Sequence, residues 1–152
     1  MSDINPWDQR YAGEDWFYGT APNDFLLGQS HRLTPGSRVL CLAEGEGRNA
    51  VFLAGLGHRV TAVDYSRSGL DKVARLSRER GVEVELVHAD LESWSPEGEP
   101  FDGIISIFCH LPHTIRAGAH QRVLQALKPG GTFILECYRP EQIPLGTGGP
   151  KD

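Results

Sequence analysis

Cysteine is scarce in this chain of 152 residues, with Cys41, Cys109 and Cys137 making up the whole set. They form no CxxC pair and no even set for disulfides, which points to a reducing compartment and a cytoplasmic location. No apolar run approaches the ~20 residues that a bilayer span needs. The opening stretch, MSDINPWDQRYAGEDW, lacks the basic-then-apolar order of a secretory signal. Basic charge is short as well: 15 Lys and Arg stand against 20 Asp and Glu, a net charge of -5. That balance argues against a polyanion-binding surface, and so against nucleic acid as a partner. Repeats and low-complexity blocks are missing too. What is present, 39% hydrophobic and 23% charged residues, suits one folded domain. A chain this long buries roughly two-thirds of its unfolded surface, enough to fold without disulfides or metal.

From residue 38 onward, short apolar runs alternate with helical patterns. Strands are expected over 38–43, 58–63, 82–87, 101–108 and 132–138, and helices over 49–55, 67–80 and 113–127. Ser66 is placed to cap the second helix and Gly81 to end it. The run at 82–87 alternates strictly, as near a sheet edge, whereas 101–108 is almost continuously apolar, as in a central parallel strand. The order implies an α/β fold with a doubly wound, mostly parallel, Rossmann-like sheet of five strands. Residues 1–35, crowded with Trp7, Tyr11, Trp16, Phe17, Tyr18 and Phe25, read as an aromatic lid or cap. Residues 36–138 form the core, and 139–152 a Gly/Pro-rich tail.

In such sheets ligands bind at the carboxyl ends of the strands. After the first strand comes EGEGRNA (44–50), a G-x-G-x-x-[GA] pattern, with Asp64 about 20 residues on at the end of the second strand. That acid suits ribose hydroxyls and permits a nicotinamide dinucleotide. Glu44 and Glu46 flank the glycines where a dinucleotide places its pyrophosphate. Like charges within about 4 Å cost of order several kcal/mol at an effective dielectric near 20. The sulfonium and ammonium of S-adenosylmethionine have the opposite preference. A second acid, Asp90, follows the third strand, where it can accept from an adenine amino group while the Leu91 N–H reaches a ring nitrogen.

The sequence resembles the class I S-adenosylmethionine-dependent methyltransferases, closest to the tellurite-resistance and thiol methyltransferase branch. The likeness rests on WDQRY (7–11), YGTAPNDFL (18–26), VLCLAEGEGRN (39–49), AVDYS (62–66), VHADL (87–91), SIFCHLP (106–112) and LKPGG (127–131). Cys41 stands where the commoner motif has an acid, and Ala43 where it has its first glycine. The resemblance implies a cofactor site of Glu44, Gly45, Glu46, Gly47, Asp64, Tyr65, Asp90, Leu91 and Phe108. Gly45 and its neighbours would face the methionine part, Asp64 the ribose and Asp90 the adenine. It implies methyl transfer to a small molecule, a thiol or a tellurium or selenium oxyanion. The rival readings are an NAD-binding oxidoreductase and a cofactor-binding module without catalysis.

Acceptor-pocket candidates are His110, Tyr11 and Arg10, with Arg116 and Arg139 as weaker ones. FCHL (108–111) stands where enzymes that methylate base amino groups carry [DNS]-P-P-[YFW]. His110 and His113 are three apart, but Pro112 breaks the helical face and no metal is expected. The resembled family continues past the fifth strand with a helix and an antiparallel strand pair. Their absence leads to the expectation of a fragment, or of a short variant that forms a homodimer through the fifth-strand edge.

Overall fold

The computed structural model describes residues 5–146. Five strands, β1 (Arg38–Leu42), β2 (Arg59–Asp64), β3 (Val84–His88), β4 (Phe101–Ile107) and β5 (Leu127–Glu136), form one sheet in the order β3-β2-β1-β4-β5. Every pairing is parallel. The crossovers are α3 (Arg48–Gly55), α4 (Arg67–Arg80) and α5 (His113–Leu124), preceded by the short helices α1 (Pro6–Arg10) and α2 (Asp24–Gln29). The doubly wound α/β expectation holds, with β3 at one edge and β5 at the other.

The central strands are apolar on both faces because both faces are covered. Val39, Cys41, Val60, Ala62, Ile105 and Ile134 pack with Leu26 of α2 and with Ala50 and Leu53 of α3. Leu40, Leu42, Val63 and Ile104 pack on the opposite face with Val123 of α5. Helix α4 starts where the Ser66 hydroxyl accepts from the Gly69 N–H at 3.0 Å, and ends at Gly81 in the left-handed region (φ +67°). Val82 was expected to open β3. Its N–H instead bonds to the Ser77 carbonyl at 3.0 Å and closes the helix, so β3 starts at Val84.

The largest boundary difference lies at LKPGG. Helix α5 stops at Leu124 rather than 127, and β5 starts at Leu127 rather than 132. The Phe101 N–H bonds to the Ala126 carbonyl at 2.7 Å, and Leu127 pairs with Phe101 before the register shifts. Pro129 and Gly130 (φ +79°) thus form an irregularity inside the strand rather than a loop before it. Of the tail, Pro140–Leu145 forms a 3-10 helix, and 147–152 lie outside the described residues.

Candidate active site at the carboxyl ends of the strands

Strands β1 and β4 are neighbours whose crossovers run to opposite sides of the sheet, so a crevice opens between their carboxyl ends. Each strand leaves the sheet through a left-handed residue, Ala43 (φ +49°) after β1 and Phe108 (φ +51°) after β4. They are the only non-glycine residues at positive φ among the described residues. Each such conformation costs of order 1–2 kcal/mol, held by the surrounding contacts. Ala43 occupies a position whose backbone suits the glycine of the commoner motif.

Past Ala43 the loop turns through Gly45 (φ +63°) and Gly47 (φ +92°), the latter capping α3. Asp64, buried at the end of β2, holds this loop. Its Oδ2 accepts from the Gly45 N–H and its Oδ1 from the Ser66 N–H, both at 2.7 Å. Burial pushes its carboxyl up from the usual range, against the pull of those backbone bonds. Glu44 turns back onto α3, accepting from the Ala50 N–H. Desolvation raises its carboxyl to about 8, partly offset by that bond. Glu46 is buried, and its carboxylate meets the Lys72 ammonium and the Phe17 N–H, the latter at 2.6 Å. Its charge, expected to favour a cationic cofactor over a pyrophosphate, is instead balanced by a lysine of α4.

The N-terminal residues cross this region as a strap. The hydroxyl of buried Tyr11 lies over Gly45: a Cβ built on that glycine would come within 2.8 Å of it. Burial, then the Asp64 charge, pushes the Tyr11 phenol far above its ordinary range. Trp16 Nε1 donates to the Glu46 carbonyl at 3.0 Å, and Lys72 Nζ to that of Asp15 at 2.6 Å. Asp8 Oδ1 accepts from Ser66 Oγ at 2.7 Å and from the Ser68 N–H at 3.1 Å, and these bonds hold its carboxyl below the usual value. With the folded pKa lowered, the Asp8 contribution is full above the unfolded value of about 3.9 and is lost as pH falls through the folded one. The stability gap between wild type and Asp8→Asn should therefore be widest above pH ~5 and close in acid, as urea unfolding across pH would show.

Other predicted residues take varied places. Tyr65 is exposed, and its carbonyl accepts from Asn5 Nδ2 at 2.9 Å and lies 2.9 Å from His88 Nε2. Asp90 is exposed and accepts from the Glu92 N–H at 2.9 Å, while Leu91 beside it is buried. Arg10 sits over Trp7 and Phe17 and donates to the Tyr18 hydroxyl at 3.1 Å, inside the strap itself. Arg116 donates to the Leu111 carbonyl, and Arg139 pairs with Glu141 at the surface. Cys41 is core, and burial pushes its thiol well up. On the β4 side, burial lifts the Cys109 thiol to about 12. His110 Nε2 lies 3.0 Å from the Tyr138 amide.

Tyr138, Lys72, Asp8 and Asn23 were not anticipated. Tyr138 lies two residues past β5, where the rule of looking just beyond each strand would have found it. Among the described residues, no group of three or more His, Cys, Asp or Glu is placed to hold a metal. Two surface concavities of about 510 and 550 Å3 share Arg38, Thr61 and Glu85 in their linings and contain no crevice residue. The first is lined by the β3–β4 connection (89–100), which has no covering helix, and the second by the turns before β2 and β3, whereas the crevice itself is overlaid by Tyr11.

A methyltransferase domain family model matches residues 39–131. Demethylmenaquinone methyltransferase of Clavibacter sepedonicus is 33% identical over 112 residues, covering 72% of this chain and 44% of that protein. The CcbJ methyltransferase of Streptomyces caelestis matches at a TM-score of 0.72 and 25% identity, covering 93% of this chain and 59% of that one. A coclaurine N-methyltransferase solved with N-methylheliamine and SAH matches at a TM-score of 0.66 and 26% identity, covering 74% and 34% respectively. The chain spans about half the length of the curated relatives it matches. Strand order, glycine loop, acid after β2 and this match agree, and the chain belongs to the class I, S-adenosylmethionine-dependent methyltransferase family.

Proposed function

We propose that this chain methylates a small molecule whose nucleophile is already reactive at neutral pH, a thiolate or an oxyanion of selenium or tellurium. The carrying observation is that three side chains that could serve as a base are held protonated or tied to the backbone. Cys109 stays a thiol and Tyr11 a phenol, and His110 is engaged by the backbone. Side chains held in this way suit an acceptor that brings its own electron pair.

The residues fit the cofactor of this family. An ionised carboxylate offers about four lone-pair sites, and the backbone amides of Gly45, Ser66 and Tyr65 engage Asp64. What remains can accept from a ribose hydroxyl. Tyr65, Asp90 and Leu91 lie at the β2–β3 end for the adenine, and the glycine loop follows β1 for the methionine part, with the Tyr11 hydroxyl over Gly45. When bound, S-adenosylmethionine supplies an electrophilic methyl on a sulfonium. The residues on the β4 side orient the acceptor toward it and exclude water.

Asp64→Ala should weaken S-adenosylhomocysteine binding by about 1–3 kcal/mol in calorimetry, with folding followed by circular dichroism. Unchanged affinity would remove the ribose assignment. For the acceptor, S-adenosylhomocysteine formation is measured with a small thiol, selenite and tellurite beside a phenol and an amine. Turnover confined to the phenol or the amine would sink the reading.

A further inference from the structure

Three rings meet where the chain leaves β4 and β5. Phe108 and Tyr138 have centroids 4.8 Å apart, and His110 stacks on Tyr138 at 5.4 Å with 15° between planes. The Phe108 N–H bonds to the Glu136 carbonyl at 2.7 Å, carrying the strand pairing one step past β4. Phe108 and Tyr138 remain 37% and 38% exposed, so the ring pair is partly open to solvent. Since Ser106 pairs with Leu42, Phe108 lies level with the glycine loop, on the side away from Asp64 and Asp90.

The Tyr138 amide can only donate, so His110 Nε2 must present its lone pair to it. The proton of the neutral ring is then on Nδ1. We propose that His110 is a positioning residue for the methyl acceptor: its Nε2 lone pair ties the chain after β5 to the chain after β4 and fixes Phe108 and Tyr138 as one apolar wall. This rests on the reading of the β4–β5 side as the acceptor side. An imidazolium has no lone pair for the Tyr138 amide, so the wall loosens as pH falls through the His110 pKa. Burial, then the Arg116 charge from α5, holds that pKa below its ordinary value, against a backbone bond with Phe108. The other nearby charges are engaged elsewhere, with Glu136 Oε1 facing Asn23 Nδ2 and Arg139 facing Glu141.

The test compares His110→Phe, which keeps a ring without the acceptor, with His110→Gln, whose Oε1 can replace Nε2. Three quantities are read: Tyr138 amide exchange, S-adenosylhomocysteine affinity, and KM and kcat for a thiol acceptor across pH 5–8. In His110→Phe, Tyr138 exchange should quicken and acceptor KM rise, each about tenfold, the scale of one lost hydrogen bond. Cofactor affinity and kcat should stay within about threefold. His110→Gln should restore KM and show only the thiol's own ionisation, without the extra acid rise seen in wild type. A wild-type KM in His110→Phe, a fall in kcat alone, or failure of Gln to rescue overturns the proposal. If no acceptor turns over, the functional reading fails by itself. The clamp is then decided by exchange and 15N shifts, and a fast Tyr138 amide or a proton on Nε2 in the wild type overturns it.

Discussion

Glu46→Ala is expected to destabilise the fold by about 3–5 kcal/mol, the cost of leaving one member of a buried ion pair without its partner. Lys72 and Glu46 are both buried, and after the change the Lys72 ammonium keeps the Asp15 carbonyl and the Trp16 ring but no opposite charge. The Phe17 N–H loses its acceptor at the same time. Replacing both partners together, as Glu46→Gln with Lys72→Met, should recover most of the loss, because no buried charge is left and Gln still accepts from Phe17. Urea unfolding measures both variants, with Trp16 fluorescence reporting the strap. A single-variant loss under about 1 kcal/mol would mean that water reaches the pair and screens it.

Gly47→Ala should cost about 2–4 kcal/mol, through two separable effects. Alanine at φ +92° is strained whatever surrounds it. Its Cβ would also come within 2.8 and 2.9 Å of the Val73 methyls and 3.0 Å of the Val73 Cα on α4. Adding Val73→Ala removes the methyl contacts but neither the backbone contact nor the strain, so rescue should be partial. Full rescue would show the strain to be negligible, and no loss at all would contradict the packing of α3 on α4. Thermal unfolding of the three variants separates these outcomes.

The fold was legible because β1, β2 and β4 are covered on both faces, and that burial writes itself as unbroken apolar runs. Boundaries were lost where a backbone bond overrode a local signal. Val82 has strand character but closes α4, and Pro129 and Gly130 signal a turn but sit inside β5. The strand-end rule located the glycine loop, Asp64, Asp90 and Phe108. It could not say what their neighbours do. Glu46 with Lys72, His110 with Tyr138 and Asp8 with Ser66 are 26, 28 and 58 residues apart. No spacing encodes such pairs, since they depend on which elements the sheet order brings together. Charge at Glu46 is plain in the sequence, whereas its neutralisation by Lys72 is a property of the packed helix.

Asn23 joins parts of the chain that are made far apart in time. Its side-chain oxygen caps α2 at Leu26, its N–H bonds to Asn49 Oδ1 at 2.8 Å, and its amide nitrogen reaches Glu136, 113 residues on, at 3.3 Å. Contacts of such separation carry the loop-closure cost before any return, and they slow folding. Glu136 gains its place only when β5 has paired with β4. Asn23, made well before β5, therefore completes its contacts late, only after the fifth strand has joined the sheet.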